Sequence, residues 1–276
     1  MARVGLLVIL LRIGLYSCTS DQNVNAPGPV SYNDLEQADL NESIEKFHKI
    51  LNAADCFQKN LEIVGKCNHS YHAKIQKLDF GTYYINEHVG TSDSLQMHLK
   101  YLVRDDNLIY GVIASTDPSL NSEFEGVEFC RDPVALEEYS AAHKKLYDKA
   151  YTPEQIIKEL IENEFAVTIA CGNATTNYGQ EEIKVFKAVQ AQDIDYVAAM
   201  LRSVSPERQL LGAIALQKLI EDDFELPKSI IQIRDYILDK NSLISACVSC
   251  SYGKDYHTLD YLNKYNWELI PNIDLE

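Results

Sequence analysis

The sequence predicts an α+β fold in which an N-terminal helix and an antiparallel β-meander are followed by a helical C-terminal region. An apolar face with helical spacing indicates the first helix, and it consists of Leu40, Ile44, Phe47 and Leu51. Short segments rich in Val, Ile and Tyr follow, separated by Gly, Asn, Asp and Ser, as is typical of strands joined by tight turns. After Pro133 the apolar residues return to the helical period.

The predicted meander begins after the first helix, which we expect to end near Ala54. Its strand-like segments are NLEIVGKC, YHAKIQKL, GTYYINEHV, SLQMHLKYLV and NLIYGVIAST. The strongest hairpin joins residues 95–103 to residues 108–115 through the turn RDDN. Apolar and polar residues alternate in its first arm, which predicts one buried face and one face mostly in water.

The C-terminal helices are predicted at 133–150, 153–165, 181–190, 193–203, 206–222, 227–240 and 258–266. Thr152 and Ser205 each precede a proline, which is the pattern of a capping residue followed by the first helical turn. Gly212 lies inside a predicted helix, where glycine costs about 1 kcal/mol relative to alanine. We therefore expect a close helix–helix contact at Gly212.

Residues 193–220 resemble one helical hairpin of the HEAT type. A turn containing Ser and Pro leads into a helix that carries an Arg and small residues on its packing face. No second copy recurs at a fixed period, whereas stacked solenoids need about three or more repeats. The resemblance implies a small HEAT-hairpin-like domain. The return of the helical period after Pro133 divides the folded chain into an α+β domain (32–130) and a helical domain (131–276).

The N-terminus has the features of a secretory signal peptide, predicted at 1–17. Residues 4–11 are uninterrupted apolar sequence before Arg12, a block much shorter than the roughly 20 residues that span a bilayer. The following segment, 18–31, is polar and contains Pro27, Gly28 and Pro29. This composition predicts a flexible tether.

The tetrad Leu15-Tyr16-Ser17-Cys18 resembles the end of a bacterial lipoprotein signal. That resemblance implies cleavage before Cys18, lipidation of its thiol, and a location in the bacterial cell envelope, lipid-anchored at a membrane surface. Ordinary secretion of a soluble protein after cleavage near Ser17 or Ser20 is the first alternative. A cytosolic protein with an apolar N-terminus is the second.

Three features together resemble a group of secreted or lipid-anchored bacterial envelope proteins. They are the tetrad ending at Cys18, the SxSPExQ segment at 203–209, and the CxxC pair Cys247 and Cys250. The proteins of this group carry no established activity. The resemblance therefore implies architecture and location only.

The chain contains seven cysteines, and lipidation of Cys18 would leave an even number for disulfides. Cys56 and Cys67 are close enough in sequence to close a short loop. Cys247 and Cys250 have redox spacing but follow a predicted helix instead of opening one, which favours structural thiols or a disulfide. A zinc site at this pair is the alternative, with Cys171 and His257 as further ligands.

A second set of metal-competent residues is Cys67, His69 and His72. On a regular strand Cys67 and His69 would share a face while His72 pointed away. We therefore expect ordinary surface histidines, and no cofactor, with zinc as the weaker hypothesis.

The chain is acidic, with 41 Asp and Glu against 25 Lys and Arg and a formal net charge of −16. This balance argues against a nucleic-acid partner, because binding to phosphate needs a concentrated basic surface. The densest acidic stretch is NSEFEGVEFCRD at 121–132, a candidate face for a cation or polycation. It lacks the loop pattern of a calcium-binding hand.

The leading hypothesis is a non-enzymatic envelope lipoprotein that binds a protein or glycan partner and touches the membrane only through its lipid. The motifs of serine hydrolases, zinc proteases and nucleotide-binding loops do not occur in the sequence. One alternative is a thiol or metal protein that uses Cys247 and Cys250. Another is a hydrolase whose carboxylates assemble in space, with Glu123, Glu125 and Glu128 as examples of available acids.

Overall fold

The computed structural model describes residues 32–59, 68–90, 96–115, 126–164, 166–171, 179–249 and 251–264. In chain order the helices are α1 (Tyr32–Ala53), α2 (Asp55–Lys59), α3 (Pro133–Tyr147), α4 (Pro153–Ile157), α5 (Gln180–Gln190), α6 (Ile194–Leu201), α7 (Pro206–Glu221), α8 (Lys228–Lys240) and α9 (Thr258–Lys264). The strands are β1 (Asn68–Lys77), β2 (Thr82–Gly90), β3 (Gln96–Arg104), β4 (Asn107–Ser115), β5 (Gly126–Arg131), β6 (Val167–Cys171), β7 (Leu243–Ser249) and β8 (Ser251–His257). The predicted α+β class is confirmed.

The five-stranded sheet is an antiparallel meander with the order β1-β2-β3-β4-β5. Its first four strands match four of the five predicted segments. The remaining predicted segment, NLEIVGKC, precedes β1 and lies outside the described residues. The β3–β4 turn places Asp105 and Asp106 at positive φ values of 49° and 61°, a conformation that Asp tolerates better than most residues. The edge strand β5 lies in the segment that we predicted only as an acidic stretch.

Both faces of this sheet are covered, which corrects the expectation that one face would be mostly in water. On one side Phe47 and Leu51 of α1 pack against β3 residues such as Tyr101. On the other side Leu102 packs with residues of α3 and α4 such as Leu136 and Ile156. The alternation of polar residues therefore marks a second buried face, not a wet one.

The C-terminal region is not helical throughout, which corrects the prediction for 131–276. The predicted helices are present, but β6, β7 and β8 form a second sheet in that order, with β6 parallel to β7 and β8 antiparallel to it. Helices α5 to α8 supply most of the apolar core beside this sheet. The helix predicted to run from 153 to about 165 continues past α4 as a π-helical turn, Lys158–Glu162.

Gly212 lies at a close contact between α6 and α7, as the sequence predicts. A Cβ atom on Gly212 would lie 2.6 Å from the backbone nitrogen of Leu201 and 3.1 Å from the carbonyl carbon of Met200. Because Gly212 has no side chain, α7 can pack directly against the backbone at the end of α6.

We expect Gly212→Ala to lower the free energy of unfolding by about 1–3 kcal/mol, because the added methyl group overpacks against backbone atoms that cannot rotate away. The change should appear in urea unfolding even though alanine is the better helix former by about 1 kcal/mol. Glu221→Ala, at an exposed position of the same helix, is the control and should stay within about 0.5 kcal/mol of the parent. A stabilised Gly212→Ala protein would contradict the close contact.

Several predicted features lie outside the described residues. They are the signal peptide and tether (1–31) with Cys18, and also Cys67, Glu123, Glu125 and Cys250. The division of the chain into two domains at 130/131 stays a prediction. Among the described helices, none combines the length and apolar character needed to cross a bilayer.

Candidate functional site

Three rows of residues cross one face of the five-stranded sheet, which we call the polar sheet face. The rows are His72, His88 and His98; Lys74, Asn86 and Lys100; and Gln76, Tyr84 and Leu102. Within each row the residues are direct partners on β1, β2 and β3. Directly opposed residues share a face, as do residues two apart on a strand, so the rows lie side by side.

The carboxylate of Glu164 lies over the middle row. It accepts hydrogen bonds from Lys100 Nζ at 2.9 Å and from Asn86 Nδ2 at 3.1 and 3.3 Å. The hydroxyl of Tyr84 donates to it at 3.2 Å, and Lys74 Nζ lies 3.6 Å away. Glu164 follows the π-helical turn, whose Ile161 carbonyl also accepts from Lys100 at 3.0 Å. Lys100 thus donates to two acceptors at the irregular helix end, the Glu164 carboxylate and the Ile161 carbonyl.

The second carboxylate at this face belongs to Glu207, in the first turn of α7. Its side chain accepts from Lys74 Nζ at 3.1 Å, from Gln76 Nε2 at 2.7 Å and from the backbone N–H of Ser245 at 3.0 Å. Ser205, which caps α7, donates its hydroxyl to the other oxygen at 3.0 Å. The SxSPExQ segment therefore joins the first sheet to β7 through one buried acid.

In this cluster burial and charge pairing shift the pKa values of Lys74 and Glu164 in opposite directions, and the effect of pairing is the larger one. Burial disfavours the charged form of Lys74, but the charges of Glu207 and Glu164 outweigh it and raise its pKa. Burial likewise disfavours the charged form of Glu164, but Lys100 and Lys74 hold its pKa below the usual value. Both groups stay ionised near neutral pH, so neither is suited to exchange protons with a substrate.

His98 is held in one tautomer by its neighbours. Its Nδ1 lies 2.9 Å from Asn86 Oδ1. The Asn86 amide nitrogen faces the oxygens of Glu164, which only accept, so the amide oxygen must face His98. His98 Nδ1 therefore carries the proton and donates it, while Nε2 carries the lone pair. Burial, with the charges of His88 and Lys100, lowers the pKa of His98 to about 4.

A second buried acid, Asp79, ties the β1–β2 turn to the C-terminal helices. It accepts from the Tyr147 hydroxyl at 2.9 Å, the Tyr236 hydroxyl at 3.0 Å and Lys240 Nζ at 3.0 Å. Lys240 also donates to Gln209 Oε1 at 2.8 Å. Burial lowers the pKa of Lys240, and the attraction of Asp79 only partly compensates. We call this group the Asp79 clasp.

On the opposite face of the sheet, Glu87 is buried between His48 and Tyr101. His48 Nε2 of α1 lies 2.8 Å from Glu87 Oε2, and the Tyr101 hydroxyl donates to Oε1 at 2.5 Å. The hydrogen bond to Glu87 raises the pKa of His48 despite partial burial. A pH-sensitive contact therefore holds α1 on the sheet.

We expect the His48–Glu87 contact to weaken as the pH rises. A raised folded-state pKa stabilises the protein below the unfolded value of about 6.5, and this contribution is lost as the pH rises through the folded value. Because the His48 side chain is 40% exposed, the effect should be only about 0.5 kcal/mol. Urea unfolding at about pH 5.5 and about pH 8.5 measures it, and His48→Gln should remove that part of the difference. An unchanged pH profile in His48→Gln would assign the dependence to other groups.

The structure pairs Cys56 with Cys130, not with the nearby Cys67. The two Cα atoms lie 5.2 Å apart across a sequence separation of 74 residues, and the bond joins α2 to β5. Cys247 is buried in β7 and is disulfide-bonded. It lies on a strand instead of a helix N-terminus, so the arrangement that activates a redox cysteine is absent at this residue.

Of the remaining candidate residues, Cys171 lies on the strand beside the CxxC segment, as expected, whereas Glu128 lies in the other sheet. Cys171 ends β6 in register with Ser249, and His257 is exposed with its Nδ1 lying 3.2 Å from the Asn241 carbonyl. Glu128 forms an ion pair with Arg131 at 2.8 Å. Among the residues whose side chains are described, no three His, Cys, Asp or Glu form a group that could hold a metal ion.

The expected opposition of His69 and His72 assumed a regular strand, and it stays a prediction because the side chains of both residues lie outside the described part of the structure. Two register shifts separate Asn68 from His72. After them His72 stands opposite His88, and Lys74 opposite Asn86. The sequence carried a signal for this face that we did not use, namely polar pairs two residues apart on three predicted strands. Those pairs are Lys74 with Gln76, Asn86 with His88, and His98 with Lys100.

No protein-family model matches the chain, and no curated protein or solved structure matches it either.

Proposed function

We propose that the protein is a non-enzymatic binding protein of the bacterial cell envelope, exported and held at a membrane surface by a lipid on Cys18. The observation that carries the export is the Cys56–Cys130 disulfide, together with the disulfide state of Cys247. Disulfides form and persist in oxidising compartments outside the cytosol. The tether at 18–31 would place the folded part in water near the membrane.

The polar sheet face supports binding more than catalysis. Its lysines and acids are paired with each other, and the pKa directions of Lys74 and Glu164 keep both charged. Its polar groups stand on three neighbouring strands, which hold them more firmly than loops would. Most of this face is buried, so a protein or glycan partner would contact its open edge, where His88 is exposed and His98 is half-buried.

The anchor is tested by growing a lipidating bacterial host with radiolabelled fatty acid. The parent chain should incorporate the label and Cys18→Ser should not, because the acceptor thiol is lost. Cys250→Ser is the matched control and should be labelled like the parent. An unlabelled parent chain would refute the lipid anchor.

Intact-mass measurement with and without reduction tests the export and the thiol or metal alternative together. A mature chain that gains mass on reduction, two hydrogens for each disulfide, supports an oxidising compartment. Reduced thiols with stoichiometric zinc by elemental analysis would favour the alternative that uses Cys247 and Cys250.

The binding role is tested with two separate probes, isolated cell-wall glycan and detergent-solubilised envelope proteins. Saturable retention of one probe should be lost in His88→Glu, which adds a charge at an exposed position of the polar sheet face. Leu259→Glu, at an exposed position of α9, is the control and should bind normally. If neither probe is retained, the binding proposal fails.

A further inference from the structure

Two half-buried cations, Lys149 and Arg202, lie where the α3–α4 loop meets the C-terminal end of α6. Lys149 Nζ donates to the Ala199 carbonyl, in the last turn of α6, at 3.3 Å. Arg202 is the residue that ends this helix. Residues three apart on a helix are neighbours, and helical side chains lean toward the preceding turn. The two side chains therefore lie close together, and we call them the cation pair.

The α3–α4 loop holds Lys149 in place. Its carbonyl oxygen lies 3.1 Å from His143 Nδ1, which must donate because a carbonyl only accepts. Its Nζ lies 4.6 Å from the centroid of the Tyr151 ring. His143 and Tyr151 are both buried and pack edge to face, with ring centroids 5.1 Å apart. The ammonium group is thus positioned by buried rings and uses one of its three N–H groups on Ala199.

Neither member of the cation pair forms an ion pair with an acid among the described residues. The Nε–H of Arg202 is buried and has no hydrogen-bond partner there. A buried donor without an acceptor is destabilising and calls for an explanation. The chain has 41 acidic against 25 basic residues, so a carboxylate partner would be easy to supply. An unpaired ammonium beside an unpaired guanidinium indicates an anion that comes from outside the chain.

The acid of this region, Glu159, is occupied by the start of α7. Its Oε1 accepts from the Ser203 hydroxyl and from the backbone N–H groups of Val204 at 3.1 Å and Ser205 at 3.4 Å. Its Oε2 lies 3.4 Å from Arg208 Nη1. Glu159 therefore neutralises Arg208 and leaves the charge of the cation pair uncompensated.

The electrostatic setting of Lys149 agrees with this assignment. Burial lowers the pKa of Lys149, and Arg208 and Arg202 lower it further, while the charge of Glu159 opposes the shift. A bound anion would offset both the burial and the repulsion between the cations.

We propose that Lys149 and Arg202 bind one phosphate group, supplied by a soluble phosphate ester or by a lipid headgroup. The planar guanidinium matches the oxygens of phosphate, and the ammonium adds a point charge. A phosphate monoester carries about −1.5 to −2 charges at neutral pH, which matches two cations better than a carboxylate does. The net charge of −16 opposes a polyanion, whereas a single phosphate needs only this local pair. The proposal does not rest on export, the lipid anchor or the polar sheet face.

Isothermal titration of inorganic phosphate into the oxidised chain at low ionic strength tests the site. We expect saturable binding of one phosphate ion per chain. Lys149→Gln and Arg202→Gln should each weaken binding at least about tenfold, because each removes a charged donor. Arg234→Gln is the matched control, since Arg234 lies on α8 with its guanidinium paired to Asp235 at 2.7 Å, and it should leave the affinity unchanged. Acetate, with a single charge, should bind at least about tenfold more weakly than phosphate.

Vesicle flotation distinguishes the two sources of the phosphate group. A Cys18→Ser chain, which has no lipid of its own, is mixed with phosphatidylcholine vesicles that contain or lack phosphatidic acid. Retention that requires phosphatidic acid and is lost on adding Arg202→Gln assigns the site to a lipid headgroup. Binding of inorganic phosphate without vesicle retention assigns it to a soluble phosphate ester.

Three results would overturn the proposal. The first is the absence of saturable phosphate binding by a chain whose circular dichroism shows a native fold. The second is unchanged affinity in both Lys149→Gln and Arg202→Gln, or an equal loss in Arg234→Gln. The third is acetate binding as tight as phosphate binding, which would indicate a carboxylate site. Because the phosphate titration needs neither the lipid anchor nor the polar sheet face, failure here leaves the proposed function untouched.

Discussion

Replacing Asp79 with alanine should lower the free energy of unfolding by about 3–5 kcal/mol, the range for removing one partner of a buried ion pair. Asp79 is 2% exposed and accepts from Tyr147, Tyr236 and Lys240. Its loss would leave the Lys240 ammonium buried without its counter-charge and two hydroxyls without an acceptor. Because Asp79 lies in the β1–β2 turn while its donors lie on α3 and α8, the variant should also loosen the sheet from those helices.

Urea unfolding monitored by circular dichroism measures the loss, and two variants control it. Asp222→Ala removes an acid that pairs with Lys218 at the similar distance of 2.9 Å but is about half exposed, so we expect at most about 1 kcal/mol. The double variant Asp79→Asn/Lys240→Met removes both charges and should recover part of the stability, since no buried charge is left unpaired. Equal effects of Asp79→Ala and Asp222→Ala would show that burial adds nothing to the clasp.

Local signals in the sequence predicted the local structure well. Thr152 forms a capping box with Gln155, and the Ser205 side chain accepts from the Arg208 N–H, both as the cap patterns predict. The alternation in 95–115 placed the β3–β4 hairpin correctly. The caps depend on residues three positions apart, and the hairpin depends on the alternation along two strands joined by a short turn, so the sequence pattern is informative for both.

The second sheet was missed because its strands carry weak local signals. β7 is the short apolar run LISACVS, and periodicity alone does not distinguish such a run from a buried helical segment. β8, SYGKDYH, is polar and contains a glycine, which is uncommon in strands. β7 pairs with both β6 and β8, and β8 pairs with β7. Such pairing between distant segments is not visible in the local sequence pattern.

The charged part of the polar sheet face was missed for a related reason. Lys74 and Glu207 are 133 positions apart, and nothing in the sequence brings them together. In an acidic chain a lysine or a glutamate is expected to be solvent-exposed, so the sequence does not mark either residue as part of a buried cluster. Metal-ligand patterns such as CxxC are visible among residues close in sequence, whereas His72, His88 and His98 become neighbours only through the register of three strands.

The pairing of Cys56 with Cys130 likewise depends on the folded arrangement. After Asp79→Ala, removal of this disulfide should have the second large effect on the free energy of unfolding. The double variant Cys56→Ala/Cys130→Ala should lose about 4 kcal/mol of unfolding free energy, because the bond closes a loop of 74 residues in the unfolded chain. Cys130 is also buried in the core between α2 and β5, so the variant loses packing there. Hydrogen exchange should rise first in α2 and β5, the two elements that the bond joins.

Reduction of the parent chain is a weaker experiment than the double variant, because reduction also opens the disulfide of Cys247. The two treatments together separate the bonds. If the reduced parent loses more stability than the oxidised double variant, the excess belongs to the Cys247 disulfide, because the reduced parent keeps the packing of both cysteine side chains. A double variant within about 1 kcal/mol of the oxidised parent would show that α2 is held by Phe57 and Phe129 packing alone. The Cys56–Cys130 disulfide, which is the main structural support for an oxidising compartment, would then contribute little to stability.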